Sequence, residues 1–182
     1  MEHGAENYKK YLSGDGGGLT EIVREYRDGL ILYINGIVRD ISAAEDIAED
    51  TFLRLIVKKP SFGGASSFRT WLYGIGRHLA YDRLRKEKPE SSLPLDENEK
   101  DEEEIEAAVI KSESGKILHS CLKRLSEDKY ELIWLSYFED MSAKEIAAVT
   151  GKSEGAVFKA LSRTRAELKQ MLLKEGFSYE DL

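Results

Sequence analysis

Apolar residues in this chain keep a three- and four-residue spacing, and nowhere do they alternate over any length. Leu19, Ile22, Val23, Tyr26, Leu30, Tyr33, Ile34 and Ile37 follow it in one stretch, and Phe68, Leu72, Ile75 and Leu79 in a second. Val157, Leu161 and Leu168 follow it in a third. A period of roughly 3.6 gathers such residues on one helix face, whereas a half-buried strand needs a period of about two. Only three prolines interrupt the 182 residues. The fold class is therefore all-α, with cores where the stripes meet.

Helix start and stop signals divide the chain. Ser142 and Glu145 have the spacing of a capping box, in which each side chain satisfies a free backbone N–H of the other. Ile146 and Ala147 share the face that follows, Thr150-Gly151-Lys152 ends the helix, and Ser153 is a second N-cap. Beyond it Val157, Leu161 and Leu168 turn inward, leaving Phe158, Lys159, Ser162, Arg163 and Arg165 outward. Two short helices about a glycine turn, the second basic, read as a helix-turn-helix able to enter a DNA major groove. On this segment alone an ordinary helical hairpin is the competing reading.

Ser42-Ala43-Ala44-Glu45 reads as another capping box, opening a helix with Ala48, Phe52, Leu55 and Ile56 on its apolar side. Its early turns expose Glu45, Asp46, Glu49 and Asp50, which the helix macrodipole alone would favour. Pro60 stops this helix, and residues 61–67 form a loop. The next helix runs from about Ser67 to Glu87, with Tyr73, Arg77 and Tyr81 in a row four apart and Arg69 and Trp71 near its start. Aromatics interleaved with arginines can stack on unpaired bases while holding phosphates. Trp71 fits the core as well as it fits base stacking. Gly74 and Gly76 inside the helix cost about 1 kcal/mol each relative to alanine, which implies close packing or close approach of a ligand. Residues Gly14 to Gly18 read as a flexible start, and no Gly-Lys-Ser/Thr follows to make them a phosphate loop.

The net charge of −7 at first argues against nucleic acid, but its distribution reverses that argument. Between Phe68 and Lys88, Arg69, Arg77, Arg83, Arg85, Lys86 and Lys88 oppose only Asp82 and Glu87. Between Lys152 and Lys174, six bases oppose only Glu154 and Glu167. From Glu90 to Glu113 ten acids face Lys100 and Lys111. Two basic helices separated by an acidic tether suggest two DNA contacts on one chain, although charge runs are commonly just solvated faces. The expected domains are residues 1–88, a flexible acidic linker at 89–113 with a short helical patch at Ile105, Ala108 and Val109, and residues 114–182. The tail from Gly176 to Leu182, with Phe177 and Tyr179 among acids, is expected to fray. No apolar run approaches the roughly 20 residues that span a bilayer, so no membrane insertion is expected. The start, Met1-Glu2-His3-Gly4, lacks the parts of a signal peptide, and Cys121 stands alone in an apolar context. The cytoplasm is the natural compartment. No zinc spacing surrounds His3, His78 or His119, so neither a metal nor an enzyme is expected, and no cofactor.

Together these segments resemble an extracytoplasmic-function sigma factor of RNA polymerase, the small kind with only regions 2 and 4. Three motifs in order carry the resemblance, over about Tyr11 to Leu173. Ala44-Glu45-Asp46-Ile47-Ala48-Glu49-Asp50-Thr51-Phe52-Leu53 is similar to the region 2.2 helix that docks on core polymerase. The run Phe68 to Arg85 is similar to regions 2.3 and 2.4, which capture and melt the −10 element, and Leu125 to Leu168 is similar to region 4, which reads the −35 element. The resemblance implies a two-domain helical fold with a C-terminal helix-turn-helix, and as partners the β′ and β subunits of bacterial RNA polymerase core, promoter DNA and an anti-sigma factor that can hold the protein at a membrane. It implies polymerase contacts at Glu45, Asp46, Glu49, Asp50, Phe52 and Arg54. It implies −10 contacts at Phe62, Ser66, Arg69, Trp71, Tyr73, Arg77, His78, Tyr81 and Arg85, with the loop Phe62 to Ser67 holding a flipped base. For the −35 element it implies Ser153, Glu154, Gly155, Phe158, Lys159, Ser162, Arg163 and Arg165. His78 stands where the family usually has Asn, and Gly74 and Gly76 where it usually has an arginine and an alanine. The recognition run Ala156-Val157-Phe158-Lys159-Ala160-Leu161 also departs from the family's usual Thr-Val-Lys-Ser-Arg-Leu. The alternative is a stand-alone helix-turn-helix regulator, which leaves the region 2 motif unexplained.

Overall fold

A computed structural model describes residues 3–87 and 113–177, and every regular element in them is an α-helix. In chain order these are α1 (Gly4–Leu12), α2 (Gly16–Val38), α3 (Ile41–Lys58), α4 (Phe68–Glu87), α5 (Glu113–Lys123), α6 (Glu127–Tyr137), α7 (Ala143–Thr150) and α8 (Glu154–Lys174). The expected linker and its helical patch at Ile105, Ala108 and Val109 lie outside the described residues.

Caps set the boundaries. In the helix-turn-helix the capping box forms as the spacing demands: the Ser142 hydroxyl accepts from the Glu145 N–H at 3.3 Å, and the Glu145 carboxylate accepts from the Ser142 N–H at 2.9 Å. Gly151 ends α7 at φ 72°, a left-handed conformation that suits glycine, and Ser153 caps α8 by accepting from the Ala156 N–H. The second predicted box is corrected. Asp40, not Ser42, caps α3, accepting from the Ala43 N–H at 2.9 Å, and Ser42 lies exposed inside the helix. Either residue type can cap, and the extended backbone at Asp40 decides between them.

The glycine-rich start is corrected as well. Asp15 caps α2, accepting from the Gly17 N–H at 2.9 Å, so the run Gly16 to Gly18 is the first turn of a helix. A Cβ on Gly18 would stand 2.2 Å from the Asn7 carbonyl oxygen, so glycine is what lets α1 and α2 touch. Helix α1, which the apolar pattern did not announce, packs Tyr8 against Phe68 and Trp71, with ring centroids 5.5 Å apart in both pairs. The Tyr8 hydroxyl donates to the Pro60 carbonyl at 2.8 Å, tying α1 to the loop after α3.

Helices α1–α4 close around Ile22, Leu30, Ile34, Leu55, Phe68 and Leu72, all fully buried. Helices α5–α8 close around Cys121, Leu122, Leu135, Ile146, Val157 and Leu161. The two halves also meet: α6 packs on α2, and α7 packs on α4. At the C-terminus Phe177 is buried and its N–H donates to the Leu172 carbonyl at 3.0 Å, so the expected fraying does not include Phe177. Tyr179 lies outside the described residues.

Candidate functional site

The acidic helix α3 presents Asp46, Glu49 and Asp50 to solvent, while Glu45 and Arg54 are half-buried. Phe52 is 7% exposed and belongs to the core, so of this residue only an edge is available to a partner. That edge forms part of a groove between α2 and α3, lined also by Val23, Arg27, Glu45, Leu53 and Ile56. Leu53 is 49% exposed and Ile56 39%, so the floor of the groove is apolar and open to solvent. Arg27 reaches Glu45 at 3.7 Å. Leu53 and the contribution of α2 were missed by sequence reasoning; Leu53 stands out only once the register of α3 is known.

On α4 the row Tyr73, Arg77 and Tyr81 does form, four residues apart on one face, and Arg69 extends it by one step. It turns toward the other half of the chain, with Tyr73 buried and Arg69, Arg77 and Tyr81 half-buried. Arg77 grips the carboxylate of Glu131 on α6, Nε to Oε1 at 2.8 Å and Nη2 to Oε2 at 3.3 Å. The same carboxylate accepts from the Tyr33 hydroxyl at 2.7 Å and the Tyr81 hydroxyl at 3.3 Å, and it is fully buried. Burial and the Glu131 charge push the Tyr33 phenol well above its usual range, and Tyr81 up to about 12. The Arg77 guanidinium also lies over the Tyr81 ring at 4.4 Å.

About two turns nearer the start of α4, Arg69 Nη1 donates to the Glu139 carbonyl at 2.7 Å, and its Nε lies 3.8 Å from the Glu139 carboxylate. Tyr73, 1% exposed, is hydrogen-bonded to that carboxylate, and burial followed by the Glu139 charge holds its phenol far above the ordinary value. Tyr73 is thus covered by the chain's other half in this arrangement. Glu139 also accepts from Trp134 Nε1 at 3.3 Å; burial raises its carboxyl, and these bonds only partly offset the rise.

The remaining −10 candidates fall in two groups. Phe68 and Trp71 pack on Tyr8 and Phe62 packs on both of them, with Phe62 and Trp71 centroids 5.3 Å apart, and Phe62, Ser66 and Trp71 are half-buried. The aromatic pair therefore props the loop rather than projecting from it. His78 and Arg85 are exposed, and both pair with Asp82 on α4 itself.

The helix-turn-helix presents its face as the spacing implied. Glu154, Gly155, Lys159, Ser162 and Arg163 are exposed, Ser153 is exposed while capping α8, and Phe158 is 61% exposed. Arg165 departs from this stripe: its guanidinium lies over the Tyr137 ring at 5.6 Å, at the rim of an apolar groove lined by Leu118, Leu122, Ile133, Phe138 and Leu173.

Glu131 and Glu139 were missed by sequence reasoning. The one signal was Glu131 among Tyr130, Leu132, Ile133, Trp134 and Leu135, an acid with no room on a solvent face.

Residues 22–90 match the family described as Sigma-70 region 2, and residues 115–168 the family described as Sigma-70, region 4. The chain is 29% identical over 163 residues to RNA polymerase sigma factor YlaC of Bacillus subtilis (strain 168), spanning 86% of this chain and 92% of that protein. It is 28% identical over 175 residues to ECF RNA polymerase sigma factor SigW of the same bacterium, spanning 90% and 94%. In fold it resembles the structure of CnrH in complex with the cytosolic domain of CnrY, with a TM-score of 0.63 at 24% identity over 93% of this chain and 94% of that one. It also resembles the sigma factor RpoE in complex with the anti-sigma factor NepR from Bartonella quintana, at TM-score 0.61 and 20% identity, over 84% and 95%.

Proposed function

The chain belongs to the sigma-70 family as an extracytoplasmic-function sigma factor, a subunit that binds core RNA polymerase and directs it to promoters, and from that premise we propose which surfaces perform each step. The groove of α2 and α3, with Glu45, Asp46, Glu49, Asp50, Leu53 and Ile56, docks on the β′ subunit of the core. Its apolar floor and acidic rim supply what a stable, specific interface needs: buried anchors in the middle and charges at the edge. Phe52 supports the floor from beneath and Arg54 flanks it.

Helix α4 and the loop before it take the −10 element. Arg69, Arg77 and Arg85 serve the backbone phosphates, Tyr73 and Tyr81 supply faces for stacking, His78 reaches a neighbouring base, and the loop at Phe62 to Ser66, propped by Trp71, receives an extruded one. Helix α8 enters the major groove at the −35 element with Gly155, Phe158, Lys159, Ser162 and Arg163, its N-terminus capped by Ser153 and fronted by Glu154. Phe158 suits a thymine methyl, and Lys159 and Arg163 suit phosphates. Arg165 serves from the groove rim. The domain boundaries follow as residues 1–88 for the −10 and polymerase half and 114–182 for the −35 half.

The family is not a class of enzymes, and we assign no chemistry to the chain itself. No helix among the described residues is long and apolar enough to cross a membrane. We place the protein in the cytoplasm, with an anti-sigma factor as the partner that withholds it from polymerase, as CnrY and NepR are the partners of CnrH and RpoE in their structures. The observation that carries the functional reading is the pair of family matches in order, the first holding the groove and the second a capped helix-turn-helix. A stand-alone regulator would have no use for the groove.

Run-off transcription with purified core polymerase on a promoter library tests this. Enriched start sites sharing two upstream elements are expected with the wild type, and none with Arg77→Glu. Full activity of that variant would remove α4 from the −10 role. No stimulation and no co-elution with core by the wild type would overturn the sigma reading.

A further inference from the structure

Helix α1 lies outside the region 2 match, which begins at residue 22, yet it grips both ends of the loop assigned to an extruded base. At the entry the Tyr8 hydroxyl donates to the Pro60 carbonyl at 2.8 Å. About one turn on, the Tyr11 hydroxyl donates at 3.4 Å to the carbonyl of Ile56, in the last turn of α3. Between these two bonds sits Lys59, left-handed at φ 42°, its ammonium over the Tyr11 ring at 5.4 Å. A side-chain-bearing residue keeps that conformation only where its surroundings hold it, and here α1 bonds the chain on either side of it.

At the exit the Tyr8 ring packs on Phe68 and Trp71, in the first turn of α4. Gly4 closes on the same ring: a Cβ there would fall 2.5 Å from Phe68 Cδ1. Between the two grips the loop is open. Gly63 and Gly64 are exposed, and a Cβ on either would meet nothing within 4 Å. The tip therefore offers backbone with no side chain over it, while both its ends are fixed. An extruded base is read by hydrogen bonds to its edge, and such bonds discriminate only where the groups that make them stand still. Tyr8 is 1% exposed and reads no base itself.

We propose that α1 sets which base the loop accepts. Tyr8 is a positioning residue: its hydroxyl and its ring hold Pro60 and Phe68 at one separation, so that the tip at Gly63 and Gly64 presents fixed polar groups to the extruded base. The inference rests on the reading of this loop as the base pocket. A loop pinned at both ends has its ordering cost met before the base arrives, and the base's own contacts then go into selection. A packing role alone would be felt in stability and at every promoter position alike. Positioning is felt at one position.

The test uses holoenzyme made with the full chain and a promoter taken from the run-off selection. Run-off on a pool carrying every base at each −10 position gives the discrimination at that position. Fluorescence of 2-aminopurine, placed in turn along the element, marks the base that leaves the stack. Two variants outside the assigned DNA contacts are compared with wild type. Tyr8→Phe removes only the hydroxyl. Gly18→Ala brings a Cβ to 2.2 Å from the Asn7 carbonyl oxygen, displacing α1 without touching the loop. Both are expected to keep binding to core polymerase and the −35 preference. Tyr8→Phe should lose about fivefold of the discrimination at the extruded position alone, the scale of one hydrogen bond, and Gly18→Ala at least as much. If Gly18→Ala loses helical circular dichroism, Tyr8→Phe decides alone. Unchanged discrimination in Tyr8→Phe, or a loss spread evenly over the −10 element, would overturn the positioning role and leave the sigma reading intact. Wild-type transcription with no bright position would overturn the base pocket and this inference with it. Absence of wild-type transcription would overturn the sigma reading itself, and both with it.

Discussion

Glu145 works in two places at once. It completes the capping box of α7 and accepts from Thr70 of α4. Burial pushes its carboxyl up, but the bonds from Ser142, Ser67 and Thr70 outweigh burial and hold it below the ordinary carboxylate value. A carboxyl depressed on folding gives stability that is present above its unfolded value and lost as pH falls through its folded one. Glu139 has the opposite sign: its raised carboxyl gives up stability as pH rises through the window just above the ordinary value. Denaturant midpoints measured between about pH 3 and 6 are therefore expected to fall less steeply toward acid in Glu145→Gln than in wild type. At neutral pH, Ser142→Ala should cost about 1 kcal/mol in the same measurement. Gly151→Val, forcing a β-branched residue to φ 72°, should cost more than Ser142→Ala.

Among helices, α3 and α8 carry exposed apolar groups with no structural duty, so their changes separate function from folding. Leu53→Asp, on the open side of α3, is expected to weaken binding to core polymerase at least about tenfold while leaving the unfolding midpoint near wild type. On α8, Lys159→Ala should lower the salt slope of holoenzyme binding to promoter DNA by about one, the mark of a lost phosphate contact. Phe158→Ala should weaken binding without changing that slope. Equal slopes for both variants would move Lys159 off the backbone. At this scale the sequence was most legible. The stripe from Phe68 to Leu79 fixed α4, and Ser142, Gly151 and Ser153 fixed both helices of the helix-turn-helix, because caps and periodicity act over a few residues. Helix α1 escaped because its buried face is little more than Tyr8, whose partners Phe68 and Trp71 lie some sixty residues away. Asp40 displaced Ser42 because two adjacent capping types differ only in the backbone that reaches them.

For the molecule as a whole, periodicity tells which face of a helix is covered but never by what. The row Tyr73, Arg77 and Tyr81 could be read from spacing, while its partners Glu131 and Glu139 could not. The Tyr33–Glu131 bond spans 98 residues, and no local rule reaches that far. The two family matches name the halves as sigma-70 region 2 and region 4, and the halves meet where α6 packs on α2 and α7 on α4. That contact also has a history in synthesis. A ribosome adding roughly 5–20 residues per second finishes α4 some seconds before α5 begins to emerge, because the acidic stretch lies between them. In that interval helices α1–α4 hold all their own core, and the first half can settle with the flank of α2 that α6 later covers still bare. The tether thus acts as a delay, and the second half arrives at a surface already formed.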